Sequence, residues 1–282
     1  MIDLIHLSQG VVERGLLFGI VVLSVYISSR LIHFDNLSIE GAFGLGGALS
    51  ALLLKYGINP WLTLLASILV GACTGIATGL LSTKLRLNNL ISGIVVTTGL
   101  FSITLKVGGS NMVINKAHTV FKSFGVLPSS FQTILVLAFI TLSLFFALGW
   151  FLTTEVGFLL RSAGDAPQML TNLGKSVHGY TTFGLVLSNA LAALSGALFV
   201  HYAGYFSIWA NIGILITGLA GMILAETINK SFGISLLLGS IIYQALIALT
   251  FECQLNQDWN KLVTATLIVV LIVIKDYTKR SS

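Results

Sequence analysis

Charge is what this chain lacks most. Of its 282 residues only 9% are Asp, Glu, Lys or Arg, whereas ordinary soluble domains carry about 25%. With 55% hydrophobic residues and a mean hydropathy of +0.95, no soluble fold of this length hides so much apolar surface. The composition predicts an all-α, polytopic membrane protein in a single transmembrane domain over 1–282. Cysteine is scarce too. Cys73 and Cys253 form no C-x-x-C pair, which argues against both a disulfide framework and a thiolate metal site. No metal ligands are expected. The P-loop pattern G-x-x-x-x-G-K-[ST] is missing, as are H-E-x-x-H and a G-x-S-x-G with a paired His. The chain is therefore expected to bind no cofactor, to hydrolyse no nucleotide and to hold no catalytic residue. The first apolar run is flanked by Glu13 and Arg14 and lacks an A-x-A exit, so a cleavable signal is not expected. The net charge of +5 follows from basic residues retained in the cytosol and needs no nucleic acid partner.

What the sequence has is long apolar runs. A crossing helix needs about 20 mostly apolar residues. That ruler predicts nine spans, at roughly 14–32, 36–54, 60–82, 88–107, 131–152, 180–202, 208–225, 232–251 and 260–275. The basic tail, with Lys275, Lys279 and Arg280, places the C-terminus in the cytosol, and nine spans then place the N-terminus outside. Four spans precede the fifth and four follow it. NLSIEGAFGLGG (36–47) compares loosely with YFSIWANIGILI (205–216), which suggests an inverted-topology repeat around the fifth span. Gly71, Gly75 and Gly79 share a helix face, and Gly184, Ser188, Ala192 and Gly196 form a second such ladder. Both read as close helix packing. Trp61, Trp150, Trp209 and Trp259 fall near expected span ends, and His33 and His201 read as interfacial.

Two polar stretches stand out. The first is DNLSIEGAFGLGG (35–47), placed by this reading at the cytosolic rim of the second span. Asn36-Leu37-Ser38 forms a sequon there, set aside because the stretch leads straight into apolar sequence. A carboxylate at a helix centre costs roughly 2.5–3.5 kcal/mol. Asp35 and Glu40 therefore call for a role, and Arg30 is the obvious partner. Three roles fit: a structural charge pair or interfacial cap, a gate at the inner end of a pathway, or direct ligand contact. The glycines from Gly41 onward permit an unwound segment or a close neighbour. Ser92, Thr97, Thr98 and Asn189, with Ser188, are further pathway candidates, although Ser and Thr in membrane helices usually bond their own backbone. Asn189 is the hardest to satisfy in a dry core.

The second stretch is RSAGDAPQMLTNLGKSV (161–177). It is too polar to span, yet it carries helix punctuation. Asp165 suits an N-cap, Pro167 the first turn and Gly174 the position past the end. Met169, Leu170 and Leu173 gather on one side. Such a short helix needs a surface to dock on. The bilayer interface and a cytosolic protein partner both fit.

The same residues carry a family resemblance. R-S-A-G-D-A-P-Q-M-L-T-N-L-G resembles R-A-x-G-x-N-P-x-x-A-x-x-x-G, the cytosolic coupling segment of branched-chain amino acid/ribose-type permeases of ABC importers. Arg161, Ala163, Gly164, Pro167 and Gly174 match, whereas Ala166 departs from the family's Asn. D-N-L-S-I-E-G-A-F resembles the family's D-L-S-x-E-G segment. With Ser92-Gly93-Ile94 and the G-S-N at 109–111, it is most similar to the tryptophan/tyrosine-type subgroup. The resemblance covers about 15–275. It implies an importer permease for an amino acid, with nucleosides or sugars as alternatives. It also implies a second permease subunit as in a homodimer, two cytosolic ATPases docked on the coupling segment, an extracytoplasmic binding protein, and a bacterial cytoplasmic membrane. An ion-coupled secondary transporter is the competing class. The topology has a direct test. A cysteine replacing Ser110 should react with a membrane-impermeant thiol reagent from outside, and labelling from the cytosolic side alone would overturn the N-out arrangement.

Overall fold

Side-chain caps set several helix starts. The computed structural model describes residues 2–115, 119–122, 129–228 and 233–252, together with Thr266 and Val269. Helix α1 (Ile2–Tyr26) runs into a π-helical turn at Ile27–Leu31. The hydroxyls of Ser28 and Ser29 donate back to the Val25 carbonyl, competing with the backbone and loosening the helix there. The chain then unwinds, and Asn36 restarts it. Its Oδ1 accepts from both the Ser38 amide and the Ser38 hydroxyl, opening α2 (Ser38–Lys55). Asn59 caps α3 (Pro60–Thr83), with Pro60 in the first turn, and Asn88 caps α4 (Asn89–Gly108). Next come β1 (Asn111–Val113), a 3₁₀ turn at Val120–Lys122, and α5 (Ser129–Thr153). The short α6 (Glu155–Asp165), capped by Thr154, is followed by α7 (Pro167–Asn172). Ser176 caps the long α8 (Val177–Ala203), which ends at Gly204 in the left-handed region, φ 80°. Then follow β2 (Tyr205–Ser207), a 3₁₀ turn at Ile208–Asn211, α9 (Ile214–Ile228) and α10 (Ile234–Glu252).

The polytopic helical reading holds, and the count of spans does not carry over. Six stretches of the described residues are long and apolar enough to cross a membrane: Ser8–Leu31, Pro60–Thr83, Asn89–Gly108, Phe131–Thr153, Val177–Ala203 and Ile208–Ile228. The expected span at 36–54 is not among them, because α2 begins with Ser38 and Glu40 and ends on Lys55. Helix α10 (Ile234–Glu252) coincides with the expected span at 232–251, with Ile234–Thr250 as its described apolar part, and 260–275 lies outside the described residues. The all-α reading holds, with one short two-stranded ribbon added between helices. β1 and β2 pair antiparallel, with Asn111 opposite Ser207 and Val113 opposite Tyr205.

α8 is the central helix, packed against α1, α2 and α3. Glycine makes these contacts possible. A Cβ on Gly75 would stand 2.5 Å from the Leu185 carbonyl oxygen, and one on Gly71 would stand 2.5 Å from that of Asn189. Gly79 rests on Thr182, Gly46 lies on the Ala193 backbone, and Gly196 lies on the Phe43 carbonyl. The α3 ladder thus seats on α8, while the α8 ladder meets α1 and α2. Both serve packing within this chain, where close backbone approach replaces the hydrophobic drive that lipid cannot supply. Leu69, Ile94, Phe139 and Phe146 point outward and are exposed, as expected of surfaces that meet lipid.

Gly75→Ala should cost about 1–3 kcal/mol through overpacking and lower the thermal midpoint of the detergent-solubilised protein. Gly99, with nothing within 4 Å of its would-be Cβ, is the control. Gly99→Ala should leave that midpoint unchanged or raise it.

Candidate functional site

The polar stretch at 35–47 does not lie at a rim. The Ser24 hydroxyl of α1 donates to the Ser188 carbonyl of α8, and the Ser188 hydroxyl donates to the Ser24 carbonyl. One residue further along α8, Asn189 Oδ1 accepts from Asn36 Nδ2 at 2.9 Å. Residues 24 and 36 therefore sit at nearly the same depth. The chain leaves the bundle through the π turn and re-enters it before α2 begins. Asn189 is twelve residues into α8, about 18 Å along a helix of about 40 Å. That is the middle of the bundle.

A closed polar knot occupies this depth. Asn189 Nδ2 donates to Ser38 Oγ at 2.9 Å and to Thr74 Oγ1 at 3.1 Å. Thr78 Oγ1 donates to Ser38 Oγ at 2.9 Å, and Ser38 Oγ donates to Asn36 Oδ1 at 2.6 Å. All five residues are buried. The network explains why Asn36 is no glycosylation acceptor. Sequence reasoning selected Asn36, Ser38 and Asn189 and missed Thr74 and Thr78. Their signal was present, since both lie within the glycine ladder that packs on α8.

The other candidates divide. Ser92 and Thr98 donate to their own helix, at the Asn88 and Ile94 carbonyls. Thr97 instead donates across to the Leu37 carbonyl at 2.9 Å, beside Gly41, where a Cβ would stand 3.2 Å from the Thr97 Cα. Thr97 and Gly41 together fix the start of α2 against α4.

The expected pairing of Arg30 with Asp35 or Glu40 is not what forms. Arg30 makes a two-point contact with Glu226 at the end of α9, with Nη2 2.7 Å from Oε2. Glu226 was not selected from sequence, because nothing local marks a partner almost 200 residues away. Asp35 is exposed and caps no helix, and Leu37 takes the cap position of α2. Glu40 is half-buried, and its Oε1 accepts from the Gly213 amide at 3.3 Å. Gly213, with φ 92°, sits in the break between the 3₁₀ turn and α9. Glu40 thus lies at the positive end of α9. Asn211, from the same break, packs onto Gly44. The stretches 36–47 and 205–216 therefore touch, but their secondary structures differ. Ser38 opens an α-helix, whereas Ser207 ends a strand.

The 161–177 stretch is two helices. Asp165 ends α6 instead of capping α7, whose cap position is Ala166 with no side-chain bond. Pro167 stands in the first turn of α7, and Gly174 follows its end at φ 69°, as the punctuation predicts. Leu170 is fully buried, while Met169 and Leu173 are exposed. The cluster of three is therefore one anchor and two outward apolar residues. Arg161 reaches the Tyr26 hydroxyl of α1, and Gly164 presses on the Leu31 carbonyl. His33 is exposed and lies 3.5 Å from Asp165. His201 stands in the last turn of α8. It is buried between Ser50 and Thr63, and its Nδ1 accepts from the Val120 amide. Trp61, Trp150 and Trp209 are exposed, and Trp259 and Cys253 lie outside the described residues. A cavity of about 480 Å³ opens beneath the unwound segment, walled by Ile32, Phe34, Ser82, Arg86, Asn89 and His178 among others.

Known transport proteins resemble this chain over most of its length. The family described as branched-chain amino acid transport system / permease component matches residues 9–272. A tyrosine transport system permease protein of Clostridioides difficile is 32% identical over 268 residues, covering 93% of this chain and 89% of that protein. A nucleoside ABC transporter permease protein, NupC of Lactococcus lactis subsp. cremoris, is 26% identical, covering 77% of this chain and 67% of that protein. No solved structure matches.

Removing the Asn189 amide should unsatisfy several buried groups at about 1–3 kcal/mol each. Asn189→Leu is expected to lower the thermal midpoint in detergent and to speed hydrogen exchange at the start of α2. Thr98→Val, which touches only its own exposed helix face, should do neither.

Proposed function

Because the chain belongs to the family of branched-chain amino acid transport system permease components, we propose that it is the membrane subunit of an ABC importer for an amino acid, with aromatic amino acids first in line. The observation that carries the substrate class is the 32% identity to a tyrosine transport system permease across nearly the whole chain. The nucleoside permease relative supports a second reading, in which the cargo is a nucleoside. The chain carries no nucleotide-binding motif of its own, so the work comes from separate ATPases.

The ATPases would dock on 161–177 from the cytosol, with the C-terminus on the same side and the N-terminus outside. α7 suits this role. Leu170 pins it to the bundle, and Met169 and Leu173 present apolar surface outward. Helix α7 spans six residues, too short to persist without a partner surface. Gly164 lies against the bundle while Arg161 and Asp165 are exposed, and all three are assigned to holding the segment in place, while Pro167 and Gly174 bound α7. A second permease subunit, read as a second copy of this chain, would complete the pathway. An extracytoplasmic binding protein would deliver the cargo. Within this chain the route is assigned to the side of α2 that carries Glu40. Here two discontinuous elements meet at mid-depth, an arrangement membrane transporters use to build binding sites.

The test is reconstitution with the cognate ATPase and binding protein in proteoliposomes, followed by ATP-dependent uptake of labelled tyrosine and of labelled uridine. Uptake of tyrosine alone supports the first reading, and uptake of uridine alone moves the assignment to the second. The double substitution Met169→Glu with Leu173→Glu should reduce ATPase copurification at least tenfold while membrane insertion persists. Unchanged copurification would place the docking surface elsewhere.

A further inference from the structure

The short segment 31–33 is held on several sides. Gly164 of α6 lies so close to the Leu31 carbonyl that a Cβ there would overlap it, and Ile32 Cα would be only 3.1 Å away. Gly184 of α8 presses from another direction, with Ile32 Cγ2 2.7 Å from its would-be Cβ. The Asp165 carboxylate stands 3.5 Å from His33 Nε2. His33 itself takes φ 49°, in the left-handed region that few non-glycine residues enter and that histidine enters more readily than most. Immediately before it, the Arg30 fork ties the π turn to Glu226 of α9.

Three residues after His33 comes Asn36, the hinge of the mid-depth knot. Three residues of extended chain reach at most about 10 Å. Phe34 between them is buried, and its amide donates to the Ser28 carbonyl at 2.7 Å. The link from α6 to the knot is therefore short and pinned, with little slack to absorb a displacement. Both the His33 and the Asp165 side chains are more than half exposed, where such a contact adds little to stability.

We propose that His33 and Gly164 are positioning residues that join the coupling segment to the polar knot. The end of α6 grips residues 31–33, and the two move as one body. A push on α6 and α7 then reaches Asn36 and Ser38, and through the first turn of α2 it reaches Glu40 at the α9 break. This rests on the reading that 161–177 receives an ATPase, and it adds the route by which that event reaches the centre of the bundle.

The experiment compares hydrogen exchange of the permease–ATPase complex in ADP and in a non-hydrolysable ATP analogue. The wild type should show a nucleotide-dependent change at both 161–177 and 33–41. His33→Ala leaves the coupling segment intact, so ATPase copurification and the response at 161–177 should persist. The response at 33–41 should fall at least threefold. In a background with Cys73 and Cys253 replaced by Ser, His33→Cys with Asp165→Cys should behave like His33→Ala. Bridging the two thiols with a reversible bifunctional methanethiosulfonate should restore the response, and reductant should abolish it again. An undiminished response at 33–41 in His33→Ala overturns the joint, as does a bridge that fails to restore it. Failure of the wild-type chain to bind the ATPase at 161–177 overturns the docking reading, and the joint with it.

Discussion

The Asn189 carboxamide sits near the middle of a 27-residue apolar helix, where water cannot satisfy it. A buried amide of this kind needs a partner for its oxygen and for both of its hydrogens. Asn36, Ser38 and Thr74 supply them, and only Thr74 lies on a helix that crosses the bundle at that point. The other two arrive because the chain leaves α1, turns and comes back in. The unwound segment, the mid-depth start of α2 and the position of Glu40 all follow from closing this one network. Irregular backbone at membrane depth is tolerated only where protein surrounds it, and here α3, α4 and α8 provide that cover.

Glycine sets the distances. Gly71 and Gly75 bring α3 within backbone reach of α8, which carries Thr74 and Thr78 to the knot. Gly46 and Gly196 do the same for α2. Larger residues at these places would hold the helices apart, and the hydroxyls would no longer meet. Close packing and polar satisfaction are therefore the same constraint seen from two sides. The break at Gly213 then faces a carboxylate whose position follows the knot, because Glu40 is carried on the first turn of α2.

Much of this was legible in the sequence. Composition gave the helical membrane class, and the glycine ladders gave close packing. DNLSIEG and the proline- and glycine-bounded stretch at 161–177 marked the two irregular segments. Three things were not legible, for physical reasons. Hydropathy measures length and apolarity, so it read α2 as a crossing helix at the rim when it begins at mid-depth. Local charge matching paired Arg30 with its nearest acids, whereas the fold brings Glu226 to it from another helix. Amphipathic grouping put Met169, Leu170 and Leu173 on one side, but a two-turn helix lying on a surface divides such a group between anchor and display. In each case the missing information was long-range contact, which no local pattern carries.

The central place of α8 also imposes an order in time. The ribosome delivers α2 and α3 before it makes the helix on which both of them rest, and Asn189 follows Ser38 by 151 positions. At about 5–20 residues per second, the early helices wait on the order of ten seconds for their partner. Throughout that interval Asn36 and Ser38 lack the amide that completes them, and α2 is too polar at its start to settle in lipid alone. The nascent chain must therefore shelter this segment, at the insertion machinery or against α3 and α4, until α8 arrives.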